Sequence, residues 1–395
     1  MNQPALAGGR TALYVLAHAA IWAAALAPVL VSLPIRVEAL EPEDTSQALS
    51  LILGVGGLVA LASPVFGWLS DRTYRTRGTR RPWLLGGALV ALAGALTMGE
   101  ARSIAPLLAG WCLTQIGCNT VIVSLMAVLV DAVAPARRGV VSGLLGVGPP
   151  IGAVLGTWLL DALGDSPRLL FLAPALAAVV AVALFAFTLP SAVPAAPAAA
   201  GTARVRPTPA LVWAWLSRLA FFFGVVIIGN YQALFLIEDL GRSPDDVPQL
   251  MAIATLLNTT FVIAASLVTG RASDRLGRRK PFLLAAGLTF ALGACVLVTA
   301  DSFPAFVLAV SITGLALGAY AAVDLALITD LLRSREQDAA RDLGVFKLAN
   351  GLPQVLAPAV ASVALVSGYP ALFAAAAACA VLSALAITRV LELRA

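Results

Sequence analysis

Long apolar runs recur along the whole chain, most of them about 18 residues or longer and nearly free of charged residues. An α-helix of about 20 apolar residues crosses the hydrocarbon core of a bilayer. A transmembrane β-barrel is excluded, because it is built from alternating strands of about 10 residues. With 60% hydrophobic and 12% charged residues among 395, the chain is predicted to be an all-α polytopic membrane protein.

The runs fall into two sets of six. They lie at about 11–35, 46–69, 82–99, 104–132, 139–161 and 167–189, and then at 211–237, 247–270, 281–300, 304–331, 341–366 and 369–390. Between the sets lies SAVPAAPAAAGTARVRPTP, whose Pro, Ala and Gly content is typical of a semi-extended tether. The sequence therefore predicts twelve membrane helices, with six-helix domains at 1–190 and 210–395 and a linker at 191–209.

Charge predicts the orientation, because short cytoplasmic loops retain Lys and Arg. With both termini cytoplasmic, the outer loops hold four of the 26 basic residues and twelve of the 21 acidic ones. We therefore expect a multi-pass protein of the inner or plasma membrane with both termini inside. A net charge of +5 would suggest a nucleic acid as the partner of a soluble protein, but here the distribution of the charges matters more than their sum, so the lipid bilayer is the expected partner.

Several chemistries are disfavoured by residues that are scarce. His18 is the only histidine, and the four cysteines lie within apolar runs without C-x-x-C spacing. No phosphate-binding loop motif occurs, and no stretch is long enough for a soluble motor domain. The sequence therefore predicts no metal, no cofactor and no enzymatic activity.

One segment occurs twice, 203 positions apart. GWLSDRTYRTRGTRRPW runs from Gly67 to Trp83, and GRASDRLGRRKPF runs from Gly270 to Phe282. An acidic residue ends the fourth helix of each half, at Asp131 and Asp330. Two six-helix halves related by sequence are a repeat architecture typical of secondary transporters.

The second copy, G-x-x-x-D-R-x-G-R-R-K, resembles the loop motif of the major facilitator superfamily. The resemblance implies twelve helices in two domains that rock about a central cavity. It also implies that the aspartates brace neighbouring helix ends when the cavity faces outward, and charged hydrogen bonds suit such a contact. The expected gating residues are Gly67, Asp71, Arg72, Arg80, Arg81, Asp131, Gly270, Asp274, Arg275, Arg278, Arg279 and Asp330. The alternative is that these basic residues only enforce topology.

Two further stretches bear on the substrate. The longer form of the first copy resembles sucrose/proton symporters and the glycoside-pentoside-hexuronide group, which favours a sugar-type solute. Gly148, Pro149 and Gly152 partly resemble a motif of drug/proton antiporters, although Leu144 replaces an expected glycine. Small residues at helix contacts are a simpler explanation of that stretch.

Polar residues inside the membrane are costly, so each suggests a function. Asp324 lies about two helical turns inside the end of the tenth helix, and Lys347 lies at a similar depth in the eleventh. They are candidates for a buried pair that protonation opens, although Lys347 could instead reach the interface. His18 is a second proton-coupling candidate or a simple hydrogen-bonding group. Arg218 is either an interfacial anchor or a ligand for an anionic substrate.

Amides and aromatic rings supply a candidate sugar site, in which neutral donors and acceptors surround an aromatic platform. The expected substrate-binding residues are Trp22, Gln115, Asn119, Asn230, Tyr231, Asn258, Tyr320, Asn350 and Gln354. The sequence thus predicts a proton-coupled transporter of a small sugar-like solute that works by alternating access. It leaves the oligomeric state open and favours a monomer. The alternatives are a proton-driven drug or metabolite antiporter and a non-transporting protein that binds a lipid or pigment.

Overall fold

The structure is a computed structural model, and it describes residues 8–133, 141, 144–163, 166–189, 209–332 and 339–390. Within these ranges the chain forms helices and connecting turns, with no strand. The all-α prediction is therefore confirmed. The predicted linker lies outside the described residues except for Pro209, which begins a helix.

The first half contributes six helices, which we label α1 to α6. Helix α1 consists of Gly8–Ala27, a π-helical turn at Pro28–Ser32, and Leu33–Leu40. Helix α2 consists of Thr45–Ala60 and Ser63–Arg77. The others are α3 (Arg81–Gly99), α4 (Ile104–Ala132), α5 (Gly148–Leu163) and α6 (Leu169–Thr188).

The second half contributes α7 to α12. Helix α7 consists of Pro209–Leu234 and a π-helical turn, Phe235–Asp239. The others are α8 (Val247–Leu276), α9 (Lys280–Val298), α10 (Phe303–Leu332), α11 (Ala339–Leu365) and α12 (Tyr369–Thr388).

Ten of these helices are long and apolar enough to cross a membrane, counted over the described residues. Helix α5 is short at 16 residues, and in α11 the apolar stretch that qualifies as a shorter helix is Gly351–Leu365. The chain is thus a multi-pass membrane protein. The count of twelve spans is consistent with these helices and stays a prediction, as does the orientation of the termini.

The two halves repeat the same helix contacts. Helix α1 packs against α5 and α6, and α3 packs against α4 and α6. In the second half, α7 packs against α11 and α12, and α9 packs against α10 and α12. The chain divides into two compact units, Met1–Ala200 with Pro244–Ala252, and Gly201–Ser243 with Ile253–Ala395.

Glycine permits the closest helix contacts. A Cβ added at Gly94 of α3 would lie 2.5 Å from the carbonyl oxygen of Gly110 on α4, and one added at Gly318 of α10 would lie 2.1 Å from the carbonyl oxygen of Val262 on α8. Helices in a bilayer associate largely by such close packing, because lipid supplies no hydrophobic driving force. These contacts hold α3 against α4 and α10 against α8.

Candidate functional site

Arg80, at the start of α3, lies between two carboxylates in the first half. Its Nη2 is 2.7 Å from Asp71 Oδ1 on α2, and its Nε is 2.6 Å from Asp131 Oδ2 on α4. Only 6% of the Arg80 side chain is exposed. One guanidinium therefore links the start of α3 and the end of α4 to α2, about two turns before α2 ends, which is the contact expected of a cation in this motif.

Neutral groups complete this arrangement. Arg80 Nη1 donates a hydrogen bond of 3.0 Å to Ser70 Oγ, which also shares one of 3.2 Å with Ser124 of α4. The guanidinium stacks over the Tyr74 ring at 4.7 Å, a distance suited to a cation–π contact. We call Arg80, Asp71, Asp131, Ser70 and Tyr74 the Arg80 cluster. Our prediction did not include the serine, although an S-D-R sequence occurs in both copies.

A related arrangement, the Arg279 cluster, lies in the second half. Arg279 Nη1 is 2.5 Å from Asp274 Oδ1 and 3.0 Å from Ser273 Oγ. The serine donates in turn to the Arg278 carbonyl oxygen. Asp274 is 69% exposed against 48% for Asp71, so the second ion pair is more accessible to water. The side chain of Asp330 lies outside the described residues.

A second cation in each copy contacts the end of another helix. Arg81 Nη2 donates to the Leu189 carbonyl oxygen just after α6. Lys280 Nζ lies 2.6 Å from the Thr388 carbonyl oxygen and 3.0 Å from that of Val390, at the end of α12. A cation is favourable there because helix C-termini carry unsatisfied carbonyls and partial negative charge. Arg81 was predicted as a gating residue, whereas Lys280 was not.

The remaining gating candidates lie at the periphery of these clusters. Arg72, Arg275 and Arg278 are exposed. A Cβ at Gly67 would meet no atom within 4 Å, and one at Gly270 would lie 3.8 Å from the Ala322 Cβ of α10. The structure therefore gives these two glycines room for a side chain.

A buried ion pair joins α7 and α10 within the second half. Arg218 Nη1 donates to Asp324 Oδ2, and the two side chains are 16% and 4% exposed. The guanidinium also lies 5.5 Å from the centroid of the Phe222 ring. The pairing was not predicted, because 106 positions separate the two residues and no pattern in the sequence links them.

A network of hydroxyl groups and aromatic rings lies next to this pair along α7 and α10. Tyr320, one turn before Asp324, shares a hydrogen bond of 3.1 Å with Ser217, which shares another of 3.0 Å with Ser383 of α12. Phe221 stacks on Tyr320 with ring centroids 3.8 Å apart. Tyr320, a predicted substrate-binding residue, is thus fully packed between α7, α10 and α12.

The other two predicted proton-coupling residues are Lys347 and His18, and only the side chain of His18 is described by the structure. The side chain of Lys347 lies outside the described residues, so its pairing with Asp324 stays a prediction, whereas the described carboxylate contacts Arg218. His18 of α1 is buried, and its Nε2 accepts a hydrogen bond of 3.2 Å from Trp22 Nε1. Its Nδ1 is buried and has no hydrogen-bond partner among the described residues.

Two of the predicted sugar-binding amides make contacts between helices. Asn119 Nδ2 donates to the Gln115 carbonyl oxygen at 2.8 Å, and its Oδ1 accepts a 3.1 Å bond from Ser63 of α2. Asn258 Nδ2 of α8 donates to the Val310 carbonyl oxygen of α10 at 2.8 Å. Both amides therefore hold helices together within their own half.

The other candidates differ in exposure. Asn230 and Tyr231 are buried in α7, whereas Gln354 of α11 is exposed. The Asn350 side chain lies outside the described residues. The site proposed from these residues therefore stays a prediction.

The glycine-proline stretch of α5 packs against α1. A Cβ at Gly148 would lie 2.2 Å from His18 Nδ1, and one at Gly152 would lie 2.7 Å from the Ala19 carbonyl oxygen. Gly156 continues the same stripe, 2.9 Å from the Ala27 Cβ. These contacts explain the three glycines as a close helix–helix surface.

Two halves of six helices each, with repeated helix contacts and related aspartate–arginine clusters, define the class of protein as a polytopic helical membrane protein built from a repeat. The family model described as Major Facilitator Superfamily matches residues 11–261 and 214–394. The chain belongs to the major facilitator superfamily and is a multi-pass membrane transporter. No curated protein matches the sequence significantly.

Solved structures of the same fold are distant in sequence. A nucleoside transporter, NupG, is 12% identical with a TM-score of 0.76, over 97% of this chain and 99% of that one. A peptide transporter, POT, in complex with sulfate is 17% identical with a TM-score of 0.74, over 95% and 93%. A bacterial homologue of the human lysosomal transporter Spinster is 16% identical with a TM-score of 0.70, over 97% of each chain. At these identities the similarity establishes the fold alone.

Proposed function

We propose that this transporter is proton-coupled, works by alternating access, and carries a sugar or glycoside-like solute. The observation that carries the proposal is the buried ion pair between Arg218 and Asp324. Ionisable side chains inside a membrane are rare and typically belong to substrate or proton pathways. This pair joins two helices of one half, so its state affects how α7 and α10 pack.

Protonation gives the pair two states. Asp324 is ionised when it accepts the hydrogen bond from Arg218, and a proton on the carboxyl group removes the charge that holds the guanidinium. Breaking one partner of a buried pair costs about 3–5 kcal/mol, which is enough to shift a two-state equilibrium strongly. The Arg218 guanidinium is then no longer held by the Asp324 charge, and a substrate hydroxyl can accept a hydrogen bond from it.

The solute class rests on the residues available for binding. The longer first motif resembles that of sugar symporters, and the described part of α7 adds buried amides at Asn230 and Gln232 with an aromatic ring at Tyr231. Neutral donors and rings suit hydroxylated solutes. The antiporter alternative gains no support from the glycine-proline stretch, because Gly148 and Gly152 have a packing role against α1.

A transport assay tests both parts of the proposal. The purified protein is reconstituted in liposomes with a more acidic exterior, and labelled glycosides, nucleosides, dipeptides and a cationic dye are offered separately. We expect accumulation of a glycoside above its external concentration, and loss of that accumulation when a protonophore is added. Accumulation that survives the protonophore would contradict proton coupling, and accumulation of only the other solutes would contradict the sugar class.

A further inference from the structure

The two copies of the repeated segment differ in length by one helical turn. Asp71 and Asp274 are 203 positions apart, whereas Gly78 and Gly277 are 199 apart, so the first copy holds four additional residues between aspartate and glycine. An α-helix has 3.6 residues per turn. Both glycines adopt left-handed φ values, 65° and 60°, at the helix end. Helix α2 therefore runs about one turn further beyond its aspartate than α8 does.

The additional turn forms one wall of a groove between α2 and α3, with α4 as its floor. The groove has a cavity volume of about 600 Å³. Its outer part is polar and is lined by Arg72, Thr73, Thr76 and Arg77. Trp83 of α3 donates a 2.8 Å hydrogen bond to Thr73 Oγ1, which ties the two walls together.

The inner part of the groove is apolar except for Thr120 of α4, whose hydroxyl donates to the Ile116 carbonyl oxygen. Phe66 and Leu69 of α2, Val90 of α3 and Ile116 of α4 line it. Gly86 also lies in the lining, and a Cβ there would meet no atom within 4 Å. The groove is therefore polar at its opening, near the end of α2, and mainly apolar further along the helices.

Charge at the opening favours an anion. Arg72 and Arg77 are exposed, and neither has a carboxylate within ion-pair distance in the part of the chain that the structure describes. Arg72 lies 5.8 Å from the centroid of the exposed Trp68 ring. Tryptophan and arginine are enriched where membrane helices meet the headgroup region.

We infer that the groove between α2 and α3 binds an anionic phospholipid, with its phosphate at Arg72 and Arg77 and an acyl chain along the apolar lining. Arginine suits phosphate because its planar guanidinium donates two parallel hydrogen bonds. The threonine hydroxyls supply further donors for phosphate or glycerol oxygens. A free anion would use only the polar opening, whereas a phospholipid fills both parts.

Native mass spectrometry of the delipidated protein tests this inference. The protein is titrated with phosphatidylglycerol, phosphatidylcholine or inorganic phosphate. We expect preferential retention of phosphatidylglycerol, and a decrease of about fivefold in its apparent affinity for each of Arg72→Gln and Arg77→Gln. The matched control is Arg275→Gln, at the position of the second copy that corresponds to Arg72, which should leave retention unchanged.

A second variant tests the apolar part without altering charge. Gly86→Leu places a side chain in the open lining, and we expect it to lower phosphatidylglycerol retention while thermal unfolding of the delipidated protein stays within a few degrees of wild type. Equal retention of the two lipids by the wild type would overturn the inference. So would unchanged retention in the arginine and Gly86 variants, or displacement of the lipid by equimolar inorganic phosphate.

Discussion

Arg81 and Lys280 lie 199 positions apart, and each donates to main-chain carbonyls at the end of the last helix of its own half. The acceptors, at Leu189 and Thr388, are separated by the same 199 positions. The repeat therefore extends beyond the aspartate–arginine pairs to a contact between a loop cation and a helix end. This contact connects the charged loop to α6 and α12, which pack against α3 and α9.

We predict that Arg81→Met lowers the free energy of unfolding by about 1–2 kcal/mol, because a cation at a helix C-terminus contributes up to that amount when partly buried. Arg81→Lys should lose less than half as much, since lysine makes the same contact at position 280. Thermal unfolding in detergent measures both variants. Equal losses in the two would show that the charge at this position is not what stabilises α6.

The Arg80 cluster should matter more for gating than the Arg279 cluster. We expect Asp71→Asn to leave membrane insertion intact and to shift the resting population toward the inward-facing state. Asp274→Asn should have a smaller effect, because Asp274 is more exposed and exposed ion pairs contribute about 0–1 kcal/mol.

Accessibility of single introduced cysteines from each side of the membrane measures this shift. Cys295 is exposed, so the native cysteines are first replaced by alanine. Unchanged labelling in both aspartate variants would leave the motif with a role in topology alone.

Replacement of Asp324 should separate exchange from accumulation. Asp324→Asn mimics the protonated carboxyl group, so the variant should exchange solute across a liposome membrane without concentrating it against a gradient. Asp301→Asn is the control, since this carboxylate is exposed. If Asp324→Asn still accumulates solute under a pH gradient, the proton is carried elsewhere and His18 is the next residue to test.

The stability of the same pair gives an independent measurement. Asp324→Asn removes the carboxylate that accepts the Arg218 hydrogen bond, and loss of one partner of a buried ion pair should destabilise the protein by about 3–5 kcal/mol. The double variant Asp324→Asn/Arg218→Met should recover part of that loss. No recovery would mean that the two residues are not energetically coupled.

Asn119 offers a test that separates helix packing from substrate binding. Asn119→Ala and Ser63→Ala each remove the hydrogen bond between α4 and α2, so both should lower stability by about 1 kcal/mol. If Asn119 also contacts solute, only Asn119→Ala should weaken solute binding, by roughly 1–3 kcal/mol. Equal solute affinities in the two variants would limit this amide to packing.

Gly148 should tolerate no side chain while His18 occupies its present position. Gly148→Ala places a Cβ 2.2 Å from the imidazole, and overpacking of this kind costs about 1–3 kcal/mol. Gly146→Ala is the matched control, since its Cβ meets no atom within 4 Å. His18→Ala in the Gly148→Ala background should restore stability, and failure to do so would place the strain elsewhere.

Sequence reasoning located helices better than it located their ends. The run predicted at 82–99 corresponds to α3 at Arg81–Gly99, but the run at 46–69 underestimates α2, which continues to Arg77, and the run at 247–270 underestimates α8, which continues to Leu276. The length of an apolar run reflects the thickness of the bilayer. The helix that contains the run continues beyond it, until a residue interrupts the helical backbone. In both helices a left-handed glycine supplies that interruption.

Some contacts of the candidate site could likewise be predicted from the sequence, and others could not. Arg80 and Asp131 could be placed together from the repeat, because an acid recurs at the corresponding helix end of each half. Arg218 and Asp324 could not, since the helical face that each occupies depends on how α7 and α10 pack. Likewise, the sequence around Asn119 is the same whether its amide binds a solute or Ser63, so the sequence cannot distinguish these two roles.

The basic side chains at positions 81 and 280 donate to main-chain oxygens at the ends of α6 and α12. The two sides of each contact therefore differ in how freely they can be substituted. Substitutions at Leu189 or Thr388 alter a side chain but leave the accepting carbonyl in place. The residues at these helix ends can therefore vary widely without loss of the contact. The whole selective constraint falls on one partner, the long basic side chain at position 81 or 280.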